Sequence, residues 1–194
     1  MSELPLFPLN TVLLPGGPLT LQVFEARYVD MVARCLRGEN RFGVVAIREG
    51  REVGAATPYD VGTSAEIVDW HREGSHGLLI IVAEGRDTFK LEQARRESDG
   101  LYVGRVEWLP GLAPRPLPSE HEPLAALLRQ LVESLPTKWN RDTSYDDAVW
   151  VGARLIEILP LALAMKQSLL ETQDPLERLE RLAAALKSRP RNLV

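Results

Sequence analysis

Metal binding, nucleophilic attack and general acid–base transfer each need particular side chains at particular spacings, and this chain of 194 residues offers few of them. The histidines are His71, His76 and His121. None stands one helical turn from another, and the single cysteine, Cys35, is far from all three in sequence, so no metal site is expected. His71 and His76 bracket a Gly-Ser turn and read as a solvated loop. Lys166 and Ser168 lie two residues apart in a helical stretch, where side chains point in different directions, which speaks against a serine–lysine dyad. Asp146 with Asp147, and Glu171 with Asp174, read as caps and first-turn charges rather than acid–base couples. Neither common glycine-rich phosphate loop occurs, nor does a Gly-x-Ser-x-Gly elbow. The expectation is no catalytic residue, no cofactor site and no enzyme activity.

Binding chemistry is better represented. Trp70, Trp108, Trp139 and Trp150 are the tryptophans. Trp70 and Trp108 end strand-like segments and Trp150 sits in an apolar helical stretch, so these three read as core or rim residues. Trp139 differs, because it lies in the polar connection 136–144 between two helical patterns. An aromatic held on a polar connection serves either as a contact residue for a partner or as a plug folded back over the helices, and both readings stay open.

Composition narrows the partner. Hydrophobic residues make up 45%, enough for a real core, and the formal net charge is -4. An acidic chain with only four lysines disfavours nucleic acid, which needs a basic face. One cysteine permits no internal disulfide, and Cys35 reads as a small buried hydrophobe. No basic segment followed by a long apolar run stands at the N-terminus, and no stretch reaches membrane-spanning length, so the default location is cytoplasmic, with no membrane partner.

The elements that would position such residues change character near residue 110. Before it, the spacing predicts two short apolar strands at Leu4–Leu9 and from Val12, a Pro15-Gly16 turn, and a strand at Leu19–Val23. A helix over Glu25–Leu36 follows, with Val29, Val32, Ala33 and Leu36 on its apolar face. Further strands are expected at 42–47, 61–68, 77–82, 88–91 and 101–106. Several short strands around one helix suggest a closed or nearly closed barrel. The segment 110–118 holds four prolines and reads as an extended linker. Beyond it, Ser119 with Glu122 predicts a capping box, Thr143 or Ser144 a cap, Pro160 a break, and Asp174-Pro175-Leu176-Glu177 a strong helix start. The expected division is a β-rich subdomain over 1–112 and a helical subdomain over 119–194.

The order of these pieces resembles the Lon protease N-terminal (substrate-binding) domain family. The likeness is carried by Leu4-Pro5-Leu6-Phe7-Pro8-Leu9, Val12-x-x-Pro15-Gly16 and Phe24-Glu25-x-Arg27-Tyr28, then by Arg41-Phe42-Gly43, Val61-Gly62-Thr63-x-Ala65-Glu66-Ile67 and Gly85-Arg86-x-x-Phe89. Lys166-Gln167-x-Leu169-Leu170-Glu171 and Asp174-Pro175-x-x-Arg178-Leu179 continue it late in the chain. Ala26 stands where many relatives have proline. The resemblance implies an α+β chain, a PUA-like pseudo β-barrel with one inserted helix followed by a C-terminal helical bundle. It also implies a stand-alone bacterial version without the ATPase and protease domains, with Arg27 and Glu66 as a tying pair. The function it implies is non-enzymatic binding of unfolded or flexible polypeptide segments, with a proteolytic or chaperone machine as a further partner and Trp139 as the candidate contact residue. The alternative is an RNA-binding PUA-like protein, for which Arg86, Arg95 and Arg96 form the best arginine cluster.

Overall fold

The apolar opening segment forms strand β1 (Ser2–Leu9), and it is buried on both faces. Leu4 and Leu6 join Val45, Phe89, Leu91 and Val106 in one core cluster, while Phe7 and Leu9 join a larger one. A strand with two buried faces needs no polar alternation, which explains its continuous apolar run. The computed structural model describes residues 2–38, 41–52, 54–74, 77–135 and 143–187. The chain divides into two compact units, Met1–Gly111 and Leu112–Val194.

In the first unit β1 is followed by β2 (Pro18–Val23), helix α1 (Ala26–Cys35), β3 (Arg41–Gly50), β4 (Ala56–Glu73), β5 (Leu78–Arg96) and β6 (Tyr102–Trp108). The strands form one mixed sheet in the order β2-β5-β4-β3-β1-β6, with β5 also pairing β6. The β1–β3 pair is parallel and the other pairs are antiparallel. The ladder therefore returns on itself through β5, while β2 pairs with β5 alone among the described residues. The expected barrel is corrected to a mixed sheet, in which β2 lies outside the returning ladder and pairs with no second strand among the described residues.

Three local expectations also change. The segments 77–82 and 88–91 are one strand, β5, which runs through Gly85-Arg86 without a turn. Val12–Leu14 is buried but not a strand: Thr63 Oγ1 donates to the Leu13 carbonyl (2.7 Å), and Gly16 and Gly17 are tied to Gly85 and Leu14. Helix α1 buries Arg27, Tyr28, Met31, Val32 and Cys35, so its apolar face is rotated from the expected stripe and Ala33 is exposed.

The second unit holds a short 3₁₀ turn (Ser119–His121) and helices α2 (Glu122–Glu133), α3 (Ala148–Ile158), α4 (Leu163–Glu171) and α5 (Pro175–Lys187). The Ser119 capping box does not form, because α2 starts at Glu122 after that turn and has no side-chain cap. The cap of α3 is Asp147, which accepts from the Val149 N–H at 3.0 Å, rather than Thr143 or Ser144. Pro160 falls in the break between α3 and α4, and Asp174 caps α5 by accepting from the Leu176 N–H at 2.8 Å. The proline-rich stretch is hydrogen-bonded within this unit, with the Leu117 N–H on the Asp146 carbonyl and the Ala148 N–H on the Arg115 carbonyl. Among the described residues no helix is long and apolar enough to cross a membrane.

The crossing of β5 beside the 13–17 loop depends on Gly85, where a Cβ would collide with the Leu14 carbonyl oxygen. Gly85→Ala is expected to lower unfolding stability by about 3 kcal/mol, measured by urea denaturation. Gly111→Ala, which meets nothing within 4 Å, should cost about 0.5 kcal/mol or less. Equal stabilities for the two variants would contradict this packing account.

Candidate functional site

The side chains singled out for chemistry are dispersed or already engaged. His71 is exposed on β4, and His121 is buried with Nε2 at 3.9 Å from Glu120 Oε1. His76 and Trp139 lie outside the described residues. Cys35 is buried, its thiol donates to the Arg41 carbonyl at 3.1 Å, and burial pushes its pKa up to about 11. Lys166 donates to the Glu157 carbonyl at 2.9 Å, while Ser168 Oγ accepts from Arg181 at 2.6 Å, so the two side chains serve separate partners. Among the described residues no three His, Cys, Asp or Glu side chains come together to hold a metal.

Two of the three clustered arginines are held by carboxylates, while Arg96 is exposed and donates to the Gly100 carbonyl at 3.4 Å. Arg86 is held by Glu66 and by Glu84, and Arg95 by Glu3 and Glu97. The expected Arg27–Glu66 tie is therefore corrected. Glu66 takes Arg86 from the neighbouring strand, and Arg27 pairs with Glu25 at 2.8 Å while donating to the Gly100 carbonyl at 2.8 Å. The pairing follows from register, since Glu66 lies opposite Glu84 on β5, two residues from Arg86.

The alternatives for Trp70, Trp108 and Trp150 are core and rim, and none of the three residues is buried. Trp70 is 49% exposed on β4 and is no core residue. Trp108 is partly exposed, packs edge-on against Phe89 and donates to Ser2 Oγ. Trp150 meets Tyr145 edge-on. The most exposed large apolar side chain among the described residues is Phe24, at 70%. Phe24 follows β2, whose Leu19, Leu21 and Val23 turn toward the core. Strand parity puts residue 24 on the other side, and that is the signal in the sequence that marks it.

Phe24 borders a groove of about 210 Å³ lined by Thr20, Leu21, Gln22, Val23, Phe24 and Glu25 along one wall, and by Phe7, Leu9, Tyr28 and Glu52 on the other. The floor is ordered by stacking of Phe7 on Tyr28, with ring centroids 3.9 Å apart, and by Arg27 lying 4.6 Å over the Tyr28 ring. Glu52 accepts from the Asn10 N–H at 2.7 Å. The groove thus joins aromatic rings, one strand of the sheet and two carboxylates.

Comparison with known proteins identifies the family. Residues 3–188 match the family model described as the ATP-dependent protease La (LON) substrate-binding domain. The crystal structure of a Lon N-terminal domain protein from Xanthomonas campestris superposes with a TM-score of 0.80 at 38% identity, covering 95% of this chain and 98% of that one. Cereblon of Gallus gallus is 34% identical over 110 residues, which are 55% of this chain and 24% of cereblon. The Lon protease of Anaeromyxobacter dehalogenans is 28% identical over 206 residues, spanning 100% of this chain and 24% of the protease. The chain spans about a quarter of the length of the curated relatives it matches.

Tyr28 in the groove floor makes the site sensitive to alkaline pH. Burial, above all, pushes its hydroxyl up to about 12; Arg27 opposes the shift and Glu25 adds to it. In the unfolded chain a tyrosine titrates near ~10. The fold favours the neutral ring, so this stabilisation is complete below about pH 10 and is lost as pH rises toward about 12. Tyr28→Phe should flatten that decline in denaturant titrations taken on both sides of this window. Identical declines in parent and variant would contradict the assignment.

Proposed function

Because this chain belongs to the Lon substrate-binding domain family, we propose that it is a non-enzymatic module that binds unfolded or flexible polypeptide segments in the groove beside β2. The supporting observation is the combination of an apolar groove floor with Phe24 standing 70% exposed at its rim. A solvated phenylalanine carries an unfavourable hydration cost that a bound apolar segment would remove. In the same reading the second unit is a helical bundle. A cytoplasmic location and delivery to a proteolytic or chaperone machine follow from it, and Trp139 is a second contact residue. RNA binding is the weaker alternative, because Arg86 and Arg95 are already paired with carboxylates.

Unfolded β-casein serves as the test partner, followed by fluorescence anisotropy. Phe24→Ala should weaken binding by about 1–2 kcal/mol with a nearly unchanged melting temperature, since the ring is largely outside the core. Trp139→Ala should do the same if that residue is an anchor. Unchanged casein affinity in both variants would sink the contact assignments.

Apolar and main-chain contact predicts affinity that changes little between about 50 and about 200 mM salt. A steep loss over that range, together with tight RNA binding, would favour the alternative. The purified chain is also expected neither to hydrolyse ATP nor to cleave casein, and turnover above a buffer control would contradict the non-enzymatic reading.

A further inference from the structure

Where α1 begins, another cavity of about 350 Å³ is lined by Glu25, Ala26, Arg27, Gly54, Arg96 and Asp99. Glu25 lines both this cavity and the groove beside β2, so the two spaces are neighbours. We infer that the cavity takes a carboxylate of the bound polypeptide, from the chain terminus or from an aspartate or glutamate side chain. This rests on the polypeptide-binding reading above and gives the apolar groove a polar end.

Two guanidinium groups converge on one carbonyl oxygen there. Arg27 Nη1 donates to the Gly100 carbonyl at 2.8 Å, and Arg96 Nε reaches the same oxygen at 3.4 Å. The bare Gly100 permits this, since a Cβ would lie 3.2 Å from Arg96 Nη2 and 3.7 Å from Arg27 Nη1. Cations held this close repel unless anions stand beside them. Arg27 is buried and has Glu25 at 2.8 Å, but its buried Nε has no hydrogen-bond partner. Arg96 is exposed and has no carboxylate partner among the described residues. Its remaining contact is the Tyr102 ring, 6.0 Å away. A bond of 3.4 Å is long, so most of the donor capacity of Arg96 is unused.

The main chain adds donors. Glu25 is the N-cap of α1, yet its side chain caps no N–H, and the first turn holds no acidic residue. The Tyr28 and Val29 N–H groups bond to the Glu25 carbonyl, while those of Ala26 and Arg27 have no partner among the described residues. Open N–H groups and the helix dipole favour an anion at this end. Charge then selects the anion. In the lining, Arg27 and Arg96 are balanced by Glu25 and Asp99. Asp99 also accepts from the Leu101 N–H at 2.8 Å and lies 3.9 Å from Arg34. The helix start adds roughly half a positive charge. A singly charged carboxylate suits so small a surplus. A phosphate dianion or a nucleic-acid backbone would bring more negative charge against two carboxylates.

The probes are N-terminally rhodamine-labelled peptides of one apolar sequence, as the free acid, as the C-terminal amide, and as the amide with a glutamate next to its end. Unfolded β-casein is run in parallel. The parent should bind a carboxylate-bearing peptide about fivefold more tightly than the plain amide, and the tighter of the two identifies the source. Arg96→Gln should remove that advantage at an unchanged melting temperature and bind the plain amide like the parent. Ala26→Pro deletes one N–H at the first helical position. Proline is tolerated there, and Glu25 before it is already extended. This variant should reduce the advantage as well, and an undiminished advantage would overturn the part assigned to the helix start. Equal affinities for all the peptides, or an advantage that survives Arg96→Gln, would overturn carboxylate capture and leave the polypeptide reading standing. Binding of casein but of none of the peptides would do the same. So would Arg96-dependent binding of a single-stranded RNA without any carboxylate advantage. Failure of the parent to bind either the peptides or casein would overturn both.

Discussion

Strand β5 hydrogen-bonds to three other strands, and it can do so only because its backbone is unobstructed at Gly85. Its first part, Leu79–Glu84, lies between β2 and β4, and its later part pairs β4 and then β6. At the junction the chain passes so close to the Leu14 carbonyl that any side chain would force the two segments apart. Two main-chain bonds, from Gly16 to Gly85 and from Gly85 to Gly17, replace the missing side-chain packing there. Serving three neighbours lets the ladder return on itself through β6 and leaves β2 at the edge.

That edge becomes a groove because α1 follows β2 at once and packs Tyr28, Met31, Val32 and Cys35 into the core. Tyr28 stacks on Phe7 of β1, so an aromatic pair forms the floor across from β2. Arg27 holds this corner together with main-chain and ionic bonds. Its guanidinium donates to the Gly100 carbonyl, pairs with Glu25 and reaches the Glu52 carbonyl at 3.5 Å. A buried arginine is tolerable only with such partners, and here they come from both ends of the groove wall. The contribution of Arg27 is therefore to hold the walls in place, whatever occupies the space between them.

Much of this architecture was legible from local pattern. The alternation of Leu19, Leu21 and Val23, the proline-started helix at Asp174-Pro175 and the break at Pro160 are short-range signals, and the chain obeys them. What misled was also local. The pattern ends one strand at residue 82 and starts another at 88, but Arg86 is anchored by Glu66 and Glu84 and the Asp87 N–H by Ser64 Oγ, so β5 continues. Ser119 with Glu122 looks like a capping box, but Pro118 precedes a 3₁₀ turn and the helix starts three residues later. The groove itself has no linear signature. Its walls come from Leu9, Val23, Tyr28 and Glu52, which only the sheet order brings together, and Phe24 reads in sequence as part of a helix-start motif.

The central claim is that polypeptide binds along β2 and not at the paired arginines or the exposed tryptophans. Methyl and amide NMR shift mapping with unfolded β-casein tests it most directly. The account predicts perturbations clustered at Leu9, Leu21, Gln22, Val23, Phe24 and Tyr28, with Arg86, Arg95 and Trp108 unaffected. Saturable binding whose shifts fall on the arginine cluster or around Trp108, with the β2 signals unmoved, would contradict it.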